Sequence, residues 1–421
     1  MSNEKVMNRW FVVAGAILVQ LSLGALYAWS VFTPYLKGKF DGFTNFNFTA
    51  TETQWIFSIS IVVFAIAMIF AGRWQDKAGP RKVAMTGGVI LGIGYILAKF
   101  FGTTFMGQML CIGVIGGAGI GLAYVCPITA AVKWFPDKKG LITGLAVAGF
   151  GFGAMIWVKL GGSWGHLIDT YGVLNTFAIY GVLFVISVLL GSIVLVNPPK
   201  GFKPKGWNPP VVKNTSPSGG EDFTSKEMAR TYQFWFLWIM YAFSATAGLL
   251  VIGNIKLFGI SALEAKGYLG DASTAAGTAM VIFALMNGLG RITWGTVSDK
   301  LSRTVSILMM TFLQSIMMIA LIWMGGTVAT LYIAAALIGF NFGGNFSLFP
   351  TATADFFGPK NLGANYALVF TAYGLSGVVG PILGGSVFDI TGNYLWAFIP
   401  ASALCFIAAI LSLSTKAPHH Q

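Results

Sequence analysis

The chain has 421 residues, of which 56% are hydrophobic and only 10% are charged. Soluble globular domains carry about 25% charged residues, so a chain this poor in charge lacks the polar coat of a soluble protein, and we expect lipid to be its main solvent. The formal net charge of +12 does not indicate nucleic-acid binding, because the Lys and Arg residues lie in short segments between long apolar runs and form no basic stripe on a soluble domain.

The first apolar run follows the start MSNEKVMNRWFVV, which has no small-residue cleavage site. The run is longer than a signal-peptide core, so we interpret it as the first spanning helix. Cys111, Cys126 and Cys405 fall inside apolar runs without paired spacing. We interpret them as small buried hydrophobic residues, and we expect no disulfide, no metal site and no cofactor.

A helix that crosses a membrane needs about 20 predominantly apolar residues. By this measure the sequence predicts an all-α membrane protein with twelve transmembrane helices. The predicted spans are residues 10–36, 55–73, 83–101, 105–133, 141–165, 174–196, 232–260, 272–296, 304–324, 327–354, 362–386 and 394–415.

The segments between these spans carry unequal numbers of basic residues. If the N-terminus is cytoplasmic, the cytoplasmic segments contain 19 Lys and Arg residues and the outer segments contain 6. Basic residues concentrate on the cytoplasmic side of membrane proteins. We therefore expect a multi-pass protein of the cell (cytoplasmic) membrane with both termini cytoplasmic, and we expect it to be a monomer.

A polar segment separates the sixth and seventh predicted helices. NPPKGFKPKGWNPPVVKNTSPSGGED is rich in Pro, Gly and Lys and predicts a flexible linker. Thr224 and Glu227 then form the pattern of a capping box, which predicts a short helix before the seventh span. We divide the chain into an N-terminal six-helix half (1–196), a cytoplasmic linker (197–231) and a C-terminal six-helix half (232–421).

The two halves share a loop motif. GRWQDKAGPRK begins at Gly72, and GTVSDKLSR begins at Gly295, which is 223 residues later. WFPDKKG at 134–140 and FFGPKNLG at 356–363 repeat at nearly the same offset. Duplicated halves are a known transporter architecture, and an Asp flanked by Gly and basic residues can hold two helices together in one conformation and release them in another. The predicted lock residues are Gly72, Asp76, Arg81, Gly295, Asp299 and Arg303.

Arg291 lies inside the eighth predicted span, eight residues before Asp299 and therefore about 12 Å from the loop. A cation at this depth costs at least ~2.5–3.5 kcal/mol, unless it reaches the surface, and 12 Å is near the reach of an Arg side chain. All fourteen acidic residues fall in loops or at helix ends, so we expect a substrate to supply the counter-charge. Asn287, one turn earlier on the same face, can hold the guanidinium or bind the ligand.

A set of aromatic residues occupies mid-helix positions rather than interfacial belts. Each of them alone is an ordinary core residue, but together they can form a small dry cavity with hydroxyl donors. The set comprises Tyr27, Trp29, Tyr124, Phe150, Phe342, Phe346, Phe370 and Tyr373.

Four segments carry a resemblance to a known family: AGRWQDKAGPRK, KWFPDKKGLITGLAVAGFGFG, NFGGNFSLFPTATADFFG and NGLGRITWGTVSDK. They resemble the oxalate/formate antiporter family of the major facilitator superfamily, which is similar to the monocarboxylate transporters. The resemblance covers nearly the whole chain and implies the major facilitator fold with two pseudo-symmetric halves. It also implies that Arg291 is the carboxylate-binding arginine, with Tyr27 and Tyr124 as aromatic site residues.

The sequence departs from the oxalate carrier of that family. Tyr373 stands where that carrier has a lysine, and Leu26 stands where it has a glutamine. Two carboxylates in a dry site need two cationic partners, so one Arg favours a monocarboxylate such as lactate, pyruvate, formate or acetate. The residues that stand where the oxalate carrier has Tyr or Trp are Phe150, Phe342, Phe346 and Phe370.

We therefore expect a secondary active transporter of small monocarboxylates that works by alternating access. Arg291 would pair with the carboxylate, Tyr27, Tyr124 and Tyr373 would donate hydrogen bonds, and the phenylalanines would limit size. Both proton co-transport and anion exchange fit. The related monocarboxylate transporters have an acid, associated with proton coupling, where this chain has Asn287.

Two alternatives are an oxalate or dicarboxylate:formate antiporter and a non-transporting membrane sensor of carboxylates. An enzyme is not expected, because the sequence contains no nucleophile–base or metal pattern. Its histidines, His166, His419 and His420, fall in a loop and in the tail.

Overall fold

The computed structural model describes residues 7–38, 42–199, 201–204, 222–416 and 418. Within these ranges, twelve helices are long and apolar enough to cross a membrane. They are α1 (Trp10–Leu23, continued as a 3-10 helix over Gly24–Val31), α2 (Ala50–Ala78), α3 (Pro80–Phe101), α4 (Phe105–Trp134, with π-helical turns over Met109–Gly116), α5 (Lys139–Gly161), α6 (Leu167–Ser192), α7 (Tyr232–Ala265), α8 (Ala272–Lys300), α9 (Arg303–Met324), α10 (Val328–Phe357), α11 (Leu362–Thr391) and α12 (Leu395–Leu413).

Each predicted span coincides with one of these helices, and the differences lie at the ends. The first span was predicted to continue to residue 36, but α1 ends at Val31 and a separate short helix covers Thr33–Leu36. In α2 the helix begins five residues before the predicted start, because Thr49 and Glu52 form a reciprocal capping box. A cap of this kind satisfies the first backbone amides and lets the helix extend past its apolar run.

Several loops and helix ends meet at one end of the bundle, which we call the linker side. Arg9, before α1, forms an ion pair with Asp137 of the α4–α5 loop at 2.7 Å. The Phe223 amide, at the end of the linker, donates to the Phe357 carbonyl at the end of α10. The opposite end of the bundle is called the far side. Because every backbone polar group in lipid must be paired internally, the irregular segments are confined to these two ends.

The halves approach each other most closely where α5 crosses α8 and where α2 crosses α11. A Cβ atom on Gly140 of α5 would lie 2.4 Å from the carbonyl oxygen of Gly295 in α8. A Cβ atom on Gly72 of α2 would lie 2.4 Å from the carbonyl oxygen of Gly363 in α11. Gly363 and Gly295 follow Gly140 and Gly72 by 223 residues, so the two crossings are related by the sequence repeat. The absence of side chains at these points lets the helices touch through their backbones.

Most of the predicted linker, residues 205–221, lies outside the described residues. Its described end contains the predicted short helix, Ser225–Met228. This helix starts with the predicted capping box, in which Thr224 and Glu227 bond to each other's backbone amides.

Candidate binding site at the centre of the bundle

Arg291 is fully buried, and within the described ranges no other charged residue is buried. Its side chain therefore does not reach the surface. The Nε atom donates to Asn287 Oδ1 at 2.9 Å, and Nη1 donates to the Val147 carbonyl of α5 at 2.9 Å. The remaining nitrogens, Arg291 Nη2 and Asn287 Nδ2, have no hydrogen-bond partner among the described residues. Asn287 thus holds the guanidinium and keeps a free donor beside it.

Close packing around α8 keeps Arg291 in this place. A Cβ atom on Gly290 would lie 2.0 Å from the Phe340 carbonyl oxygen of α10. On the other side, a Cβ atom on Gly144 of α5 would lie 2.4 Å from the Arg291 carbonyl oxygen. The backbone of α8 is therefore held between two helices, one from each half.

Aromatic rings take the place of an acidic partner. The Arg291 Cζ atom lies 4.0 Å from the ring centroid of Phe346 and 5.2 Å from that of Phe150. None of the ion pairs between described residues involves Arg291. A cation over a desolvated ring gains about 2 kcal/mol, which is less than a buried charge loses on leaving water. The guanidinium is therefore stabilised only in part.

The structure brings the remaining predicted site residues around this cation. The Tyr27 ring lies 4.9 Å from Phe150 and 6.1 Å from Phe342, and its hydroxyl lies 2.6 Å from the Tyr373 hydroxyl. The Tyr27 hydroxyl also lies close enough to the Arg291 guanidinium for the two groups to interact electrostatically. Helices α1, α5, α10 and α11 thus contribute side chains to one cluster.

Tyr124 completes this arrangement from α4. Its ring lies 5.7 Å from Phe150 and 5.3 Å from Phe370, and its hydroxyl is within electrostatic reach of Arg291. Trp29, by contrast, lies away from the cluster, where its indole nitrogen donates to the Thr53 carbonyl at 2.9 Å.

The sequence analysis missed three residues of this cluster. Tyr241 of α7, Tyr366 of α11 and Phe64 of α2 pack against Phe370 with centroid distances of 6.0, 5.7 and 4.8 Å. Tyr241 lies in the aromatic stretch YQFWFLWIMYAF, and Tyr366 lies near the start of its helix. Tyr366 lies where interfacial belts are found, and Tyr241 is one of several aromatic residues along α7. Only the facing of the two helices shows that both rings are buried against Phe370.

A cavity of about 640 Å³ opens on the far side between the ends of α2, α7 and α11. Its walls include Lys37, Asn254 and Glu264. Gln54 lines this cavity and also a smaller one that reaches Tyr27. Gln54 Nε2 donates to the Gly253 carbonyl of α7 at 3.2 Å. This contact between the halves lies where the large cavity meets the smaller one beside Tyr27.

The linker side is closed by polar contacts between the halves. Asp299 of α8 accepts hydrogen bonds from the Gly140 and Leu141 amides at 3.1 and 2.9 Å, which are free donors at the start of α5. Arg303 donates to Asp299 at 2.9 Å and to Asp355 at 2.7 Å. A carboxylate at a helix N-terminus is further stabilised by the helix dipole.

The matching loop in the N-terminal half makes weaker contacts. Asp76 faces Lys133 of the same half at 3.9 Å. Arg81 is exposed and forms no ion pair with a described residue. The loop therefore contributes to the closure mainly through the Gly72–Gly363 crossing. An additional pair that the sequence analysis missed, Lys139 with Asp355 at 3.2 Å, also joins the halves.

Within the described ranges, no three His, Cys, Asp or Glu side chains lie close enough to hold a metal ion. The chemistry of the central site is thus that of one arginine, an amide and several phenolic hydroxyls in an aromatic enclosure.

Known proteins share the sequence pattern and the fold of this chain. The sequence matches the Major Facilitator Superfamily over residues 10–327 and 245–421. It is similar to the uncharacterized MFS-type transporter YhjX of Escherichia coli (strain K12), with 29% identity over 88% of this chain and 86% of that protein. It is also 29% identical to the oxalate:formate antiporter of Oxalobacter formigenes, over 96% of this chain and 91% of that protein.

More distant matches extend the comparison. Monocarboxylate transporter 14 of Mus musculus is 23% identical over 96% of this chain and 89% of that protein. The solved structure of the proton:xylose symporter XylE superposes with a TM-score of 0.69 at 12% identity, covering 96% of this chain and 95% of that one. The likeness to this symporter concerns the fold alone.

Proposed function

Because the chain belongs to the Major Facilitator Superfamily, we propose that it is a secondary transporter that carries small monocarboxylates of the lactate, pyruvate, formate and acetate class by alternating access. The predicted fold, with twelve transmembrane helices in two halves, and the predicted family resemblance are confirmed by the similarities above. Relatives named for oxalate and formate and for monocarboxylates support a carboxylate as the substrate.

The observation that carries this proposal is the charge of Arg291. The guanidinium is fully buried, has no acidic partner among the described residues, and keeps Nη2 unpaired beside the unpaired Asn287 Nδ2. A buried charge without a partner costs several kcal/mol. An entering carboxylate supplies the missing charge and accepts from both donors, and a planar guanidinium matches its two oxygens.

The proposed substrate bears one carboxylate because the site offers one cation. Arg291 is the sole buried charged side chain in the described part of the protein. A second carboxylate would enter an enclosure formed by rings such as Phe342 and Phe370, where it would meet hydroxyls but no charge. Hydroxyls of Tyr27 and Tyr373 can donate to the single carboxylate, while the phenylalanines exclude water and limit the size of the substrate.

The ends of the bundle support alternating access. The cavity on the far side and the Asp299 network on the linker side correspond to a carrier that is closed towards the linker. In the proposed cycle the halves pivot about the central site, so that the Gln54–Gly253 contact tightens as the Asp299 network opens. Both termini and the linker then lie in the cytoplasm, as the distribution of basic residues predicts.

In this scheme, the binding of substrate and the conformational change of the carrier are coupled. An empty carrier would carry an unpaired cation through its occluded state, whereas bound substrate removes that penalty. This favours exchange of one anion for another over net flux. Proton co-transport also fits, with the proton travelling on the substrate or through Tyr hydroxyls and water, because Asn287 offers no carboxylate for it.

Competition for uptake tests the proposed function. Purified protein in proteoliposomes should take up labelled lactate, and pyruvate, formate and acetate should compete more strongly than oxalate. Lactamide, which has the shape of lactate without its charge, is the matched control and should not compete. Stronger competition by oxalate than by every monocarboxylate would support the dicarboxylate antiporter, and binding without uptake of any acid would support the sensor.

The linker-side closure gives a second prediction. Asp299→Asn removes the charge that caps α5 and pairs with Arg303, and we expect it to shift the equilibrium between the two states by about 1–2 kcal/mol, or ~5–30-fold, towards the state open on the linker side. Asp76→Asn is the comparison variant and should shift the equilibrium less. The Asp76 carboxylate lies near Gly363 of the opposite half but accepts none of the amides there, and its 3.9 Å ion pair within one half contributes less than about 1 kcal/mol.

Labelling of a cysteine at Thr143 measures this shift. Thr143 is buried and lies on α5 seven residues, or two turns, towards the linker side from Phe150, on the same face. In a background without the three native cysteines, Thr143→Cys should react faster with a water-soluble maleimide when Asp299→Asn is present. Equal labelling rates with Asp299 and with Asn at this position would show that the network does not hold the closed state.

A further inference from the structure

Three tyrosines crowd around Phe370 on one side of the central site. Tyr124, Tyr241 and Tyr366, which we call the tyrosine trio, are each completely buried. Their ring centroids lie 5.3, 6.0 and 5.7 Å from that of Phe370. Their hydroxyls lie near one another in the order Tyr124, Tyr366, Tyr241, yet none makes a hydrogen bond of normal geometry with a described residue.

Packing prevents these hydroxyls from turning away to find partners. The Tyr241 ring stacks on Phe349 with 4.4 Å between centroids and 5° between planes. The Tyr124 ring is held edge-on by Phe64 at 5.0 Å. The three hydroxyls face one another rather than other polar groups, so their hydrogen-bonding capacity is used only in part. Unused capacity of a buried hydroxyl costs free energy, and three such groups in one place call for an explanation in terms of a ligand or of another conformation.

The trio extends from the depth of Arg291 towards the linker side. Tyr366 lies four residues into α11, about 6 Å from its linker-side end, whereas Arg291 lies nine residues, about 13 Å, from the linker-side end of α8. Tyr366 is also only three residues beyond Gly363, where α11 touches α2. It therefore stands between the central cation and the closure.

The trio also spans the boundary between the halves. Tyr124 belongs to the N-terminal half, and Tyr241 and Tyr366 belong to the C-terminal half. Separation of the halves on the linker side would draw Tyr124 away from the other two and open a space lined by hydroxyls. Such a space can receive an anion, because two or three hydroxyls can donate to the oxygens of one carboxylate.

We propose that the tyrosine trio is a second binding station for the substrate carboxylate, used between Arg291 and the linker side when that side is open. The station has donors but no cation, so it holds the anion more weakly than Arg291 does. The carboxylate therefore passes from it to the surface, or from the surface to Arg291, without being trapped. The inference rests on the proposed function, because the ligand of the station is the transported acid.

Half-saturation concentrations measured from each side of the membrane test the station. Intact cells of a host without its own lactate carriers present one side, everted membrane vesicles present the other, and protease cleavage of the linker identifies which preparation exposes the linker side. Tyr366→Phe and Tyr241→Phe each remove one hydroxyl and keep the ring. We expect each to raise the half-saturation concentration for labelled lactate about 2–10-fold from the linker side and to change the far-side value much less.

Tyr95→Phe is the matched control, because Tyr95 is buried against Phe184 between α3 and α6, away from the central site, and should change neither value. A mere shift of the conformational equilibrium would move the two half-saturation concentrations in opposite directions. The proposed station would be overturned by such opposite changes. It would also be overturned by an equal change from both sides or by no change from either side.

The wild-type protein separates this inference from the proposed function. If it takes up oxalate in preference to lactate, the monocarboxylate proposal fails, and labelled oxalate then tests the station in the same two preparations. If it takes up neither acid, both inferences are wrong.

Discussion

Arg291→Lys should reduce carboxylate transport nearly as severely as Arg291→Gln. Lysine keeps the charge but lacks the planar fork that bonds Asn287 and the Val147 carbonyl and that would, in the proposed function, also bond the carboxylate. Truncating one partner of a buried, hydrogen-bonded charge pair costs about 2–5 kcal/mol, which corresponds to a loss of ~30-fold or more in affinity. Initial rates of lactate uptake into proteoliposomes, over a range of lactate concentrations, measure this loss.

Arg230→Lys is the matched control for this substitution. Arg230 is exposed before α7, so the same chemical change there should leave uptake as it is in the wild type. Equal amounts of folded protein are verified by size-exclusion chromatography in detergent. Uptake by the Arg291→Lys protein within about 3-fold of the wild type would show that charge alone suffices and that the planar guanidinium is not required.

Tyr373→Lys should change the preference between acids rather than abolish transport. The Tyr373 ring lies 4.9 Å from Phe370 and 5.3 Å from Phe346, so an amine there would add a second cation to the aromatic enclosure. A second carboxylate would then have a charged partner. We expect the affinity for oxalate to rise about 10-fold or more relative to that for lactate, as measured by competition of both acids for one labelled substrate.

Tyr373→Met separates the added charge from the lost ring and hydroxyl. Both variants lose the 2.6 Å contact with Tyr27, and methionine has a length similar to that of lysine. The ratio of oxalate to lactate affinity should therefore rise with lysine and stay near the wild-type value with methionine. Equal ratios in the two variants would show that the missing cation is not what disfavours dicarboxylates.

Much of the fold could be predicted because lipid simplifies the problem. A spanning helix must be long, apolar and internally hydrogen-bonded, so its presence can be recognised from a continuous run of residues. The residues at which it begins and ends cannot be recognised in the same way, because they depend on local polar partners. The sixth helix shows this, since a short helical segment begins at Leu167, with Asp169 in its first turn, where an acid is favourable. Non-helical backbone at Gly172 (φ 76°, ψ 168°) separates this segment from the long part of α6, whose start agrees with the predicted residue 174.

The buried position of Arg291 could be predicted because its charge is costly in itself. A charge in mid-membrane, such as Arg291, needs an explanation whatever surrounds it. Tyr241 and Tyr366 carry no such cost in sequence, because a tyrosine can pack in the core of a bundle or at the membrane interface. Their burial follows from the tilt and facing of α7 and α11, which depend on contacts between distant residues.

The contacts of the two repeated loops could not be predicted in detail, and the role of these loops as a lock stays a prediction. The repeated motif indicated equal roles for Asp76 and Asp299, but only Asp299 accepts backbone amides from the opposite half. The difference arises from the partner helix, whose start lies within hydrogen-bond distance of one carboxylate. The sequence repeat therefore predicts that the two loops occupy corresponding positions in the two halves. It does not predict which residues each loop contacts.

Binding of lactate to purified protein tests the central claim most directly. Isothermal titration of wild-type protein in detergent should give one site per chain, with weaker binding of oxalate, and titration of Arg291→Gln should give no measurable binding of either acid. Lactate binding to Arg291→Gln with the wild-type affinity would contradict the claim that the buried, unpaired arginine at the centre of the bundle binds the transported carboxylate.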